Sequence, residues 1–142
     1  MRPRHITITP QIVDWILYNM PAFKEKVEEI ELRTSASLVV FSGQPNNADS
    51  AVEIAAIERA AISQILDVAN RGIRALHPEQ RKIYRMKYRA NMTYKEIGKR
   101  LHISEETVYR RVGEIREIIS QYLRNVPESV FINFLEIMRK RA

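Results

Sequence analysis

Apolar residues recur along this chain at helical spacing, and proline, serine, threonine and asparagine punctuate the recurrences. Thr9 before Pro10 reads as an N-cap followed by a first helical position, where a missing N–H costs nothing. Ile12, Val13, Trp15, Ile16 and Leu17 make an apolar turn and a half. Pro21 is expected to end or kink that helix, because proline pushes the residue before it out of the α region. A second helix is expected from Ala22 to about Arg33, with Phe23, Val27 and Ile30 on one stripe and charged residues elsewhere. From Thr34 to Ser50 the pattern breaks. Leu38-Val39-Val40-Phe41 is a β-prone run, and Ser42 to Asn47 is rich in turn formers. A linker is expected here, its apolar tetrad docking on the core or on a second subunit. Asp49 or Ser50 would then cap a long helix, about Ala51 to Ala75, along which Ile54, Ala61, Ile65, Val68, Gly72 and Leu76 recur.

The next stretch is the most specific. Pro78 and Glu79 suit the first turn of a helix that Asn91-Met92 closes. Thr93-Tyr94-Lys95-Glu96 is a capping box, in which the threonine hydroxyl and the glutamate carboxylate satisfy each other's backbone N–H groups. It opens a two-turn helix, Tyr94 to Leu101, with Ile97 and Leu101 facing inward. His102-Ile103 forms a tight turn, with His102 where a positive φ is often needed, and Ser104 caps the following helix. Val108, Val112, Ile115 and Ile119 form that helix's inward stripe, and Gly98 falls where a crossing helix would come closest. Two capped helices joined by so short a turn are a helix-turn-helix, about residues 93–124. The C-terminal stretch Val130–Met138 carries one more apolar stripe, for core or interface, and the basic tail Arg139-Lys140-Arg141 is expected to be solvated.

The fold class is therefore all-α: an N-terminal helical pair, a linker, a long helix and a helix-turn-helix with a final short helix. Residues 1–47 form one expected division and 48–142 the DNA-binding one. Charge supports the second. The chain of 142 residues has net charge +6, but residues 1–71 carry 7 basic against 9 acidic side chains, whereas 72–142 carry 16 against 8. A half with that surplus seeks an anionic partner. Zero cysteine excludes a thiol nucleophile, a disulfide scaffold and cysteine-bound zinc or iron–sulfur. His5, His77 and His102 are scattered, with no metal-spaced pair and no serine or carboxylate constellation, so neither an enzyme nor a metal or cofactor site is expected. No secretory signal and no membrane span is expected, which points to the cytoplasm.

Leu76-His77-Pro78-Glu79-Gln80-Arg81, Ile83 to Tyr88 and Thr93 to Val112 resemble region 4 of bacterial sigma factors and the related LuxR-type heads. The order of elements over residues 8–124, with Leu17-Tyr18-Asn19-Met20-Pro21-Ala22-Phe23-Lys24, is similar to the phage late-gene regulators called RinA and ArpU. The resemblance implies a transcriptional regulator, a phage or prophage late-gene activator working in the bacterial host cytoplasm. A sigma region 2, which melts promoters, has no counterpart in the chain.

On a recognition helix in the major groove, Glu106, Tyr109, Arg110 and Gly113 form the face opposite the apolar stripe and are the candidate base contacts. Arg110 suits bidentate contact to guanine, Glu106 can accept from cytosine, Tyr109 can pack on a thymine methyl, and Gly113 permits close approach. Glu105 caps the helix dipole. Candidate phosphate contacts are Arg81, Arg85 and Arg89, repeating at i,i+4, with Thr93 through its N–H, Lys95, Lys99, Arg111 and Arg116. Six such contacts would give log K against log salt a slope of about −5. Double-stranded DNA is thus the expected partner, RNA polymerase a candidate one, and a homo-oligomer the expected state, since one helix-turn-helix reads only a few base pairs. The alternatives are a small-terminase-like packaging protein and a sigma-region-4-like adaptor on RNA polymerase.

Overall fold

The computed structural model describes residues 6–40 and 45–139, and the side chains of 6–35 and 50–139. Among the described residues there is no strand. Six α-helices follow in order: α1 (Pro10–Val40), α2 (Pro45–Ala75), α3 (Pro78–Tyr84), α4 (Tyr94–Leu101), α5 (Glu105–Leu123) and α6 (Glu128–Arg139). A π-helical turn, Arg85–Arg89, extends α3. The all-α expectation is what the chain adopts.

Two local expectations are corrected. The first is the N-terminal helical pair, which is a single helix with Pro21 inside it. Thr9 does cap it, its hydroxyl accepting from the Ile12 N–H at 3.2 Å. Pro21 withholds the N–H that the Leu17 carbonyl would otherwise receive. Arg89 supplies the missing donor, its Nη1 lying 2.8 Å from that carbonyl, so the helix carries on. The second correction is the linker. Thr34 does not break the helix; its hydroxyl donates back to the Ile30 carbonyl at 2.7 Å. The β-prone Leu38, Val39 and Val40 lie on helical backbone, and α2 begins at Pro45, ahead of Asp49 and Ser50. The side chains of the Leu38–Phe41 tetrad lie outside the described residues, as do Lys140 and Arg141 of the tail.

The helices pack as two compact units. One holds Met20–Asp67, Ile6 and the segment from Val126 onward. Its core includes Phe23, Ile30, Ile62 and Ile65 with Phe131 and Phe134 of α6. Phe23 meets Phe134 edge-on with centroids 5.1 Å apart. Phe131 and Phe134 of the C-terminal stripe are thus core, with Val130, Leu135 and Met138 only partly buried, whereas Leu32, Ile54 and Ile57 stay exposed.

The other unit joins Thr7–Asn19 to Val68–Asn125. Val13, Ile16 and Leu17 of α1 are buried in it, with Leu76, Ile83, Ile97, Val108, Val112, Ile115 and Ile119. A Cβ on Gly72 would lie 2.8 Å from the Ile119 Cδ1, so α2 packs closely on α5 there and a larger residue would require the end of the Ile119 side chain to shift. No helix among the described residues is long and apolar enough to cross a membrane.

Candidate nucleic-acid interface

The second unit builds α4 and α5 from local chemistry. Thr93 and Glu96 form the expected box: the Thr93 hydroxyl accepts from the Glu96 N–H at 3.1 Å, and the Glu96 carboxylate accepts from the Thr93 N–H at 3.2 Å. Those bonds to Thr93, backbone first, hold the Glu96 carboxyl below its ordinary range. His102 ends α4 with φ 57°, in the left-handed region foreseen for it. The Ile103 N–H then returns to the Gly98 carbonyl at 3.0 Å. A Cβ on Gly98 would sit 2.8 Å from the Ile103 carbonyl oxygen. Glycine is therefore needed to clear the turn's own backbone, not a crossing helix. Ser104 caps α5, accepting from the Thr107 N–H at 3.1 Å. The inward stripe of α5 is fully buried.

With that stripe inward, the opposite face of α5 is open. Glu106, Tyr109, Arg110 and Gly113 lie together on it and are exposed, Tyr109 at 65%. A Cβ on Gly113 would meet nothing within 4 Å. A helix-interior glycine costs about 1 kcal/mol relative to alanine, and nothing inside the unit requires this one. Arg85, Lys95 and Lys99 are exposed as well.

The remaining phosphate candidates have internal partners. The Arg81 guanidinium donates to the Leu76 carbonyl at 2.8 Å and the Arg74 carbonyl at 3.4 Å, closing the end of α2. Besides Leu17, Arg89 serves the Tyr84 hydroxyl at 2.6 Å. Arg111 ties α5 to α3 through Glu79 at 3.2 Å and to Glu114 at 3.1 Å. Arg116 holds Asp14 with two bonds, 2.9 and 2.7 Å. The Thr93 N–H belongs to its capping box. The structure therefore brings the four base candidates together and leaves three of the eight phosphate candidates free of internal partners among the described residues.

Residues 68–119 match the family model described as Sigma-70, region 4. That stretch is a sigma region 4-like helix-turn-helix. The match takes in the end of α2, all of α3 and α4 and most of α5, and an element of this kind is a DNA-binding one. No curated protein and no solved structure matches the chain significantly.

The second unit also contains a polar network that joins residues before the matched stretch to residues within it. Asp14 of α1 accepts from Arg116 and, at 2.6 Å, from the Tyr88 hydroxyl. Burial opposes its ionisation, but the bonds from Arg116 and Tyr88 outweigh that and hold the carboxyl below its ordinary range. Burial, followed by the bond to Asp14, pushes the Tyr88 phenol far above its usual value. The bond to Asp14 raises Arg116. Beside this network Lys87, only 8% exposed, points its ammonium at the rings of Tyr18, Tyr88 and Tyr94, with centroids 5.1, 5.0 and 5.1 Å away. Two signals were available in the sequence. Asp14 is the sole acidic residue before Glu25 and sits in an apolar turn, and Lys87 lies between Tyr84 and Tyr88.

Proposed function

We propose that this chain is a sequence-specific transcriptional regulator, not an enzyme, that lays α5 in the major groove of double-stranded DNA. The observation that carries the proposal is the open face Glu106–Tyr109–Arg110–Gly113, set on a doubly capped helix-turn-helix. Arg110 takes the guanine edge, Glu106 a cytosine amine and Tyr109 a thymine methyl, while Gly113 lets the groove wall come close. Arg85, Lys95 and Lys99 take phosphates, with exposed Arg100 beside them. Arg81, Arg89, Thr93, Arg111 and Arg116 act indirectly, by holding the unit together. With four phosphates neutralised, log K falls against log salt with a slope of about −4.

The Leu17–Lys24 segment and the long helix followed by a helix-turn-helix support a phage or prophage late-gene activator in a bacterial host. A homo-oligomer belongs to the proposal, because paired half-sites would supply the length of operator that one α5 cannot read. The sigma region 4 match favours one second reading, an adaptor that contacts RNA polymerase.

Genomic footprinting tests the proposal: bound sites at promoters support regulation, and bound sites at packaging signals would replace it with a packaging role. In binding assays Arg110→Ala is expected to lose about 1–3 kcal/mol of discrimination between cognate and random DNA. Arg85→Ala is expected to weaken both alike and to reduce the salt slope by about 1. No DNA affinity at low salt would leave the adaptor reading.

A further inference from the structure

We infer that Tyr94 is a positioning residue for DNA recognition: its ring, held against the buried Lys87 ammonium, sets the orientation in which Tyr109 meets the base edges. The inference rests on the proposal that α5 faces the groove, and it adds a residue that itself touches no base.

Tyr109 is the large apolar side chain of the open face, and at 65% exposure a phenol on a free helix would sample several rotamers. Its ring instead meets Tyr94 edge-on, with centroids 6.0 Å apart and planes at 76°, the geometry that aromatic quadrupoles favour. Tyr94 is well placed to impose an orientation. It occupies the first position of α4, directly after Thr93, so the capping box fixes its backbone. Its ring is half-buried and lies 5.1 Å from the Lys87 Nζ.

That ammonium is itself overdetermined. A buried cation must be compensated. Lys87 is compensated by a hydrogen bond to the Tyr18 hydroxyl at 2.9 Å and by the faces of Tyr18 and Tyr88 as well as Tyr94. Tyr18 and Tyr88 brace each other, with centroids 4.8 Å apart. A chain of contacts thus runs from the closed interior of the unit to its open face: cage, Lys87, Tyr94, Tyr109. A tyrosine ordered in advance meets DNA without the entropy cost of fixing a rotamer on binding. If Tyr94 merely filled space, replacing it would lower stability but leave the Tyr109 rotamer and the DNA preference as they were.

The first measurement needs no DNA. In the full chain with isotope-labelled tyrosine, NMR is expected to show one χ1 rotamer for Tyr109 and cross-peaks between the Tyr94 and Tyr109 rings. Rotamer averaging in the unmodified protein overturns the inference, whatever the DNA assays give. The second is a double-mutant cycle. Tyr94→Leu, which keeps bulk at a half-buried position, is expected to average the Tyr109 rotamers and raise the Kd for cognate DNA about two- to tenfold, with random DNA unaffected. Tyr94→Phe keeps the ring and restores both properties. In Tyr109→Ala the additional change Tyr94→Leu is expected to have no further effect. Losses that add, or a Tyr109 rotamer indifferent to Tyr94→Leu, overturn the inference while the DNA reading stands. Absence of any cognate preference in the unmodified chain overturns the DNA reading and the inference with it, whereas a failure of the rotamer or cycle measurements alone leaves the DNA reading standing.

Discussion

Arg110 and Arg116 stand on the same helix and carry the same charge, yet the unit treats them in opposite ways. Arg110 projects from the open face, free of ion pairs among the described residues. Arg116, on the flank that faces α1, is clamped by both oxygens of Asp14. The contrast recurs on the turn that extends α3, where Arg85 is free and Arg89 closes a helix carbonyl on α1. A basic surplus therefore overstates the charge available to an anion. Arginine's planar fork suits a carboxylate or a pair of carbonyls inside the protein as well as it suits phosphate outside, so the partner assigns the role.

The contrast is most directly broken at Asp14. Asp14→Ala strands the Arg116 guanidinium and the Tyr88 hydroxyl, and is expected to cost about 2–3 kcal/mol in denaturant unfolding. Arg110→Ala is expected to change stability by less than about 0.5 kcal/mol; equal losses would mean that the two faces are not distinct. A smaller version is the pair on the turn after α3. Arg89→Ala removes the donor for the Leu17 carbonyl and is expected to cost about 1–2 kcal/mol, against almost nothing for Arg85→Ala.

Acid sharpens the same comparison. The folded Asp14 carboxyl lies below its ordinary value, so its contribution is present above about pH 4 and is lost as pH falls through the lower folded value. Stability measured from pH 5 downward is expected to fall more steeply in the parent chain than in Asp14→Asn; parallel curves would remove the pair from the account. An effect smaller than that of losing Asp14 or Arg89, and opposite in sign, is expected at Gly113. Gly113→Ala is expected to stabilise the free protein by about 0.5–1 kcal/mol while weakening cognate DNA. Stabilisation with unchanged binding would show that nothing approaches that face closely.

What sequence made legible was local. Thr93 with Glu96, Ser104 with Thr107, the left-handed His102 and the stripe from Val108 to Ile119 all lie within a few turns of one another, where spacing determines geometry. Their agreement is why the helix-turn-helix and its open face were readable in advance. Pro21 does not end the helix as its local effect predicts, because its remedy lies in Arg89, whose acceptor Leu17 is 72 positions away in sequence. The Asp14–Arg116 pair spans 102 positions. No periodicity announces such a bond, so basic residues with internal partners looked like phosphate contacts. The β-prone run at Leu38–Val40 failed for a related reason: propensity is a weak prior once a long helix is already under way.

The discontinuity of the sigma region 4-like unit bears on how portable it is. Residues 68–119 look like a cassette that could be lifted from one protein and set into another. Yet the acceptors for Arg89 and Arg116, and one wall of the cage around Lys87, come from Thr7–Asn19. A graft of the cassette alone would arrive with three cations deprived of counterparts they were folded around.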